Sequence, residues 1–239
     1  MPLPKISTPT YELELPSNKQ KIHYRPFLVR EEKLLVLALE SEDTKQITTA
    51  IKTVLKNCIE TSGIKVETLP TFDIEYLFLN IRGKSVGEEV EVNILAPDDG
   101  VTEILITIPL DEISVVENEE HTKQIKLSKD LMMEMKYPSL EQFISSNFDF
   151  KDGASMDQSF ELIASCVDKI YSEDEVWTSG DVTKKEIIDF LEQMNSLQFK
   201  QIEKFFETMP KLTYEIEVTN PKTKKKSTVV LEGLSSFFA

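Results

Sequence analysis

Histidines, cysteines and paired carboxylates are the residues of this sequence that could do chemistry, and their spacing matches no catalytic motif. The two histidines, His23 and His121, are far apart in the chain and share no motif. No Gly-rich phosphate loop, His-Glu-x-x-His helix or Gly-x-Ser-x-Gly turn occurs. The sequence therefore predicts no catalytic residues, no cofactor and no metal.

Acidic pairs are the remaining candidates for general acid–base chemistry. They include Asp98-Asp99, Asp111-Glu112 and Glu173-Asp174-Glu175. The chain has 42 Asp+Glu against 27 Lys+Arg, so most such pairs are expected to be solvated surface. The sequence thus favours a protein that is not an enzyme.

The two cysteines, Cys58 and Cys166, each lie in an apolar helical pattern and are predicted to be buried free thiols. A zinc ribbon would place paired cysteines in its hairpin turns. The Pro-bearing turns at 96–100 and 220–224 contain none. These turns are therefore predicted to belong to metal-free hairpins.

The order helix, strand, Pro-bearing turn, strand occurs twice in the sequence. The first set is Ile74–Phe78, Glu89–Val92, Ala96–Gly100 and Ile104–Ile108 followed by Leu110–Ile113. The second set is Ile202–Phe206, Glu215–Val218, Asn220–Lys224 and Thr228–Val230 followed by Leu231–Leu234. The pattern predicts an internal duplication of a helix-plus-hairpin unit. Such a duplication is typical of a scaffold with two docking modules, and the hairpin edges are candidates for strand addition.

Hydrophobic periodicity elsewhere predicts an α+β fold of helical bundle segments bearing β-hairpins. Residues 11–15 and 21–25 alternate as an N-terminal hairpin, and 125–127 with 131–135 form another strand pair. Helices are predicted at 28–39, 160–170, 183–194 and 197–209. A helix capped by Thr44 should end at Gly63, and a helix that begins near residue 71 should end at Gly83 and Gly87. One more helix should begin near Leu140. Pro210 ends the last helix.

Four segments follow from this pattern. They are an N-terminal β-hairpin at 1–27, a helical segment plus the first hairpin module at 28–116, connecting strands and a helix at 117–150, and a helical segment plus the second hairpin module at 151–239.

The net charge of −15 opposes binding to nucleic acid unless a local basic patch overrides it. The candidate patch is the turn Lys222 to Lys226, which is either a solvated turn that discourages edge pairing or a contact for phosphate or an acidic partner. The apolar runs are too short to cross a membrane, and no secretory signal opens the chain. We expect a cytosolic protein with no membrane partner.

Aromatic and aliphatic residues near the C-terminus, together with Trp177, are the candidate partner-binding groups. Leu231, Leu234, Phe237 and Phe238 fall at helical spacing near the C-terminus and are either a last half-turn packed on the core or an anchor in a neighbouring subunit. The same two interpretations apply to Trp177.

Several motifs resemble the baseplate hub proteins of T-even contractile-tailed phages. They are Met1–Lys5, Tyr24–Leu28, Leu37–Ser41, Leu69–Leu79, Arg82–Gly87 and Tyr137–Leu140. The resemblance is dense from about Pro2 to Phe143. It implies a late-expressed hub subunit or hub assembly protein, present in the host cytoplasm during assembly and then in the virion tail baseplate, with no catalytic residue.

Three functions are left open by these observations. The first is a baseplate hub component that binds other tail proteins. The second is a transient chaperone for a hub or tape-measure protein, absent from the mature virion. The third is a cytosolic adaptor that binds nucleic acid through Lys222–Lys226. A homo-oligomer is left open in each case.

Overall fold

The computed structural model describes residues 6–41, 43–140, 156–233 and 236. In these ranges the chain forms six α-helices and eleven strands, which confirms the α+β class. The helices are α1 (Val29–Glu40), α2 (Thr44–Cys58), α3 (Thr71–Val86), α4 (Met156–Cys166), α5 (Lys184–Leu191) and α6 (Ser196–Thr208). None of these helices is both long and apolar enough to cross a membrane.

The strands form four small antiparallel sheets. They are β1 (Tyr11–Glu14), β2 (Lys21–Tyr24), β3 (Glu89–Leu95), β4 (Glu103–Pro109), β5 (Ser114–Val116), β6 (Gln124–Lys126), β7 (Met132–Met135), β8 (Val167–Tyr171), β9 (Val176–Thr178), β10 (Lys211–Thr219) and β11 (Lys226–Glu232). The sheet orders are β1-β2, β3-β4, β11-β10-β5 and β6-β7-β8-β9.

The chain divides into two compact units. Unit 1 consists of Met1–Val66, Phe72–Val116 and Lys211–Ala239, and unit 2 of Glu67–Thr71 and Glu117–Pro210. Unit 1 therefore contains both Pro-bearing hairpins, although most of unit 2 lies between them in the sequence. The finer division into four segments stays a prediction.

The core of unit 1 joins the two hairpins to α3. Alternate residues of β3 are buried, as the period of a half-covered strand requires. They share one cluster with apolar side chains of β4, β10, β11 and α3, whose buried members include Leu79, Ile108, Leu212, Val218 and Leu231. The strand-and-turn patterns predicted for both hairpins are confirmed by this arrangement.

A buried carboxylate ties the β1-β2 turn to α3. Asp73 is fully buried, and its carboxylate accepts hydrogen bonds from the backbone N–H of Ser17, at 3.0 Å, and from the Ser17 hydroxyl. Burial raises the pKa of Asp73, while the two bonds from Ser17 oppose that increase. Asp73 thus holds the N-terminal hairpin against α3, although burial of its carboxylate is unfavourable.

The described residues of unit 2 form a four-stranded sheet and three helices, and aromatic rings fill much of the core. Phe205 of α6 lies 5.2 Å from the ring of His121 and 5.8 Å from the ring of Tyr137, measured between centroids. The cluster extends to Met133, Met135, Leu162, Ile163, Cys166, Ile170, Leu191 and Phe206, among others.

Several predicted helix ends are wrong. Asp43, not Thr44, caps α2, because its side chain accepts a hydrogen bond from the N–H of Lys45. The same helix ends at Cys58, before Gly63, where Arg25 N–H donates to the Cys58 carbonyl. Gly83 lies inside α3, and a Cβ there would be 3.4 Å from a methyl of Leu110.

Two segments that the sequence predicts to be helical are strands. The pattern through Val167 and Ile170 predicts a continuing helix, but the chain enters β8 at Val167 because it pairs with β7. Leu231 does not begin a C-terminal helical turn either, since it is a buried residue of β11. The helix predicted from Leu140 falls mostly outside the described residues.

Candidate partner-binding surfaces

The three long-turn hairpins of unit 1 share one turn conformation. In Leu15–Lys19, Ala96–Gly100 and Asn220–Lys224, Pro is the second residue, and the N–H of the fifth residue donates to the carbonyl of the first at 2.9, 2.8 and 2.9 Å. The fifth residue has a positive φ of 57°, 65° and 63°, respectively. Pro supplies the fixed φ that starts such a turn, so the sequence signal is local.

Side chains join the β3-β4 turn to the β10-β11 turn. Asn220 is buried, and its Nδ2 donates to Oδ1 of Asp98 at 2.8 Å and to Oδ2 of Asp99 at 3.0 Å. The hydroxyl of Thr223 also donates to Oδ2 of Asp98, at 2.5 Å. We call these four residues the turn junction. Side-chain hydrogen bonds therefore join the two hairpins at their turns.

Structural hydrogen bonds keep both carboxylates of the Asp98-Asp99 pair ionised. The hydroxyl and backbone N–H of Thr102 hold the pKa of Asp99 far below its usual range. Thr223 and Asn220 lower the pKa of Asp98 in the same way. A general acid requires a raised pKa, so these carboxylates are fixed anions that accept structural hydrogen bonds.

The lysine-rich turn lies beside these anions. Lys222, Lys224, Lys225 and Lys226 are all exposed, and Nζ of Lys226 is 2.6 Å from Oε1 of Glu217. The other three lysines make no ion pair with a residue that the structure describes. The neighbouring carboxylates of the turn junction weaken the positive field of the turn. Binding of nucleic acid at this turn stays a prediction.

The only tryptophan lies on the edge strand β9 of unit 2. Trp177 is 36% exposed and the adjacent Val176 is 59% exposed. The outward N–H of Thr178 donates to Oδ2 of Asp181, whose own N–H returns to the Thr178 carbonyl. The backbone N–H and C=O of Thr178 are already hydrogen-bonded to Asp181. A partner would therefore contact the Trp177 and Val176 side chains rather than add a strand.

Helix α1 presents several apolar side chains to solvent. Leu37 and Leu39 are 54% and 51% exposed, and Val36 is 47% exposed. A groove of about 360 Å³ runs between α1 and α2 and is lined by Leu34, Leu37, Ala38, Lys45, Gln46, Thr49, Ala50 and Thr53. Exposed apolar side chains on one helix commonly mark a protein–protein contact.

The predicted C-terminal anchor residues Leu234, Phe237 and Phe238 lie outside the described residues. Their assignment as partner-binding groups stays a prediction, as does that of Trp177.

The two cysteines are buried, and the ring of His121 packs against Tyr137 and Phe205. Burial raises the pKa of Cys58 to about 11 and that of Cys166 to about 12, so both thiols are protonated. Burial also lowers the pKa of His121, whose Nδ1 is 3.0 Å from Oγ1 of Thr208. Across the described ranges, no group of three or more His, Cys, Asp or Glu side chains could hold a metal ion.

These features define a class of protein before any comparison. Hairpins fixed by side-chain bonds, apolar surfaces on α1 and β9, and inert thiols are typical of a structural protein that binds other proteins.

Comparison with known proteins identifies the family. The family described as T4 bacteriophage base plate protein matches residues 8–239. The chain belongs to this family, and a structural role in the phage tail baseplate follows from that membership. No curated protein and no solved structure matches the chain.

Proposed function

We propose that the protein is a non-enzymatic component of the baseplate hub that binds other tail proteins. The observation that carries this proposal is the family match over residues 8–239. The resemblance of Tyr24–Leu28 and Leu69–Leu79 to hub proteins of T-even phages supports the hub position within the baseplate. Members of a tail structure act through contacts, so the exposed apolar surfaces carry the function.

The α1 surface is the best candidate for the main contact with another tail protein. Leu37 lines the groove between α1 and α2 and is half exposed, and Leu34 lines the same groove one turn earlier in α1. Covering the exposed parts of these two leucines removes enough apolar area to contribute about 1–3 kcal/mol to binding. An apolar segment of the partner fits the α1 wall of this groove, which consists of Leu34, Leu37 and Ala38, whereas the α2 wall also carries polar side chains.

Complementation of a phage that lacks the gene tests this proposal. Leu37→Glu should lower the yield of infectious particles about tenfold or more, because it places charge in the groove. Leu39→Glu is the matched control, since Leu39 is about equally exposed, lies on the other side of the same helix and gives the same change of charge. Full complementation by Leu37→Glu would exclude the α1 surface as the contact.

Mass spectrometry of purified virions and of isolated baseplates separates the hub component from a transient chaperone. A hub component should be recovered in both samples at constant stoichiometry. If assembly requires the protein but mature particles lack it, the chaperone function replaces the hub function.

A further inference from the structure

The outer edge of β11 is the longest free strand edge in the three-stranded sheet of unit 1. β11 pairs with β10 over Lys226–Glu232, and within the described residues no strand pairs with its other side. Lys226, Thr228 and Glu232 are exposed, and Val230 is 50% exposed.

The register shows which backbone groups this edge presents. Asn220 N–H donates to the Lys225 carbonyl at one end of the β10-β11 ladder, and Gly233 N–H donates to the Leu212 carbonyl at the other. Hydrogen-bonded pairs alternate between these ends in an antiparallel ladder. The N–H and C=O groups of residues 226, 228, 230 and 232 therefore point away from β10.

We propose that a second copy of this chain pairs with this edge, β11 against β11, around a two-fold axis at Val229. The axis places Lys226 opposite Glu232 of the second copy and Thr228 opposite Val230 of the second copy. All four outward residues of each strand then form hydrogen-bonded pairs. The result is a six-stranded antiparallel sheet across the dimer.

Charge favours a second copy as the occupant. Within one chain, Glu217 pairs with Lys226 at 2.6 Å and Lys211 pairs with Glu232 at 3.3 Å. The two-fold axis joins these pairs into a row of alternating charge, namely Glu217, Lys226, then Glu232 and Lys211 of the second copy. Opposite charges that face each other across strands stabilise their pairing.

Other symmetric registers are less favourable. An axis at Lys226 would place two lysines directly opposite each other, which is destabilising. An axis at Val230 would leave Lys226 without an opposite residue in β11.

The Ser236 hydroxyl donates to the Glu232 carbonyl at 2.6 Å, but a carbonyl oxygen has a second lone pair for the partner strand.

Charge reversal tests both the interface and its register. Sedimentation equilibrium of the full-length chain should give twice the chain mass of 27.4 kDa. Lys226→Glu places a glutamate opposite Glu232 of the second copy at both ends of the interface. Glu232→Lys places a lysine opposite Lys226 of the second copy at both ends. Each variant should raise the dissociation constant about tenfold or more. An equimolar mixture should dimerise again, because each glutamate then faces a lysine.

Thr228→Pro tests the backbone contribution, since it removes an N–H that points away from β10. Glu91→Pro is the matched control, because its N–H points out of the β3 edge in the same way. Circular dichroism should show both variants folded, and only Thr228→Pro should lose the dimer.

A wild-type chain that remains monomeric at about 100 µM would overturn the proposal and leave the edge to a strand of another protein. A dimer that neither charge reversal nor Thr228→Pro weakens would also overturn it. Dimerisation through β11 does not depend on the hub function.

Discussion

Replacement of Asn220 should reveal how much the turn junction contributes to stability. Asn220→Ala removes two hydrogen bonds to carboxylates across the junction, to Asp98 and Asp99. It also removes two bonds within its own turn, where Oδ1 of Asn220 accepts from the N–H groups of Lys222 and Thr223 at 2.8 and 3.2 Å.

The magnitude follows from these four bonds. Each contributes about 0.5–1.5 kcal/mol net, and the exposed backbone groups of the turn can bind water after the substitution. We therefore expect the free energy of unfolding of Asn220→Ala to fall by about 2–4 kcal/mol. With a typical urea m-value of about 1.5–2 kcal/mol/M, the midpoint shifts by about 1–2 M.

Urea denaturation followed by far-UV circular dichroism is the assay. The single tryptophan, Trp177, belongs to unit 2, so its fluorescence does not report directly on the junction in unit 1. Hydrogen exchange should show the loss of protection in β3, β4, β10 and β11. Asn18→Ala is the control, because Asn18 is exposed and makes one turn bond, to the N–H of Gln20.

Asn220→Asp makes the test sharper. It preserves the shape of the side chain but replaces the donating amide by a third carboxylate beside Asp98 and Asp99. At pH 7 this variant should be less stable than Asn220→Ala, and the difference should shrink as the pH falls and carboxylates take up protons. Wild-type stability in either Asn220 variant would refute the reasoning.

Three further predictions concern buried groups. Ser17→Ala should lower the free energy of unfolding by about 1–2 kcal/mol at pH 7. Because the pKa of Asp73 is raised, the folded chain binds a proton before the unfolded chain does as the pH falls. Ser17→Ala removes the bonds that oppose this increase, so Asp73 of the variant takes up a proton at higher pH than in the wild type. The loss should therefore shrink in urea titrations at successively lower pH, and a loss that does not change with pH would contradict this. Cys58 and Cys166 should not react with a disulfide reagent at pH 8 until urea is added, and rapid labelling of the native chain would show that they are accessible. Phe205→Ala should destabilise the protein by about 3–5 kcal/mol in urea titrations, and a loss below about 1 kcal/mol would exclude tight packing there.

Local patterns predicted many of the elements correctly. Thr183 and Glu186 form the capping box of α5, and Pro210 follows the end of α6. The alternation in β3 also needed no partner to be recognised, because one face of the strand is buried and the other is solvated. Such signals act between residues that are close in sequence.

Long-range pairing explains where the sequence patterns failed. Val167 and Ile170 fit a helical period as well as a strand, and antiparallel pairing with β7 selects the strand. The exposure of Leu37 likewise depends on what packs against α1, which periodicity alone does not indicate.

The sequence by itself determined the Pro-bearing turns, their flanking strands, the absence of cysteines from those turns and the acidic net charge. These properties depend on residue type and local spacing. Only the tertiary structure brings Asn220 to Asp98, 122 positions away in the sequence, and so joins the two hairpins by side-chain hydrogen bonds. The physical reason is that a buried amide must find acceptors for its N–H groups, and the fold decides which residues supply them.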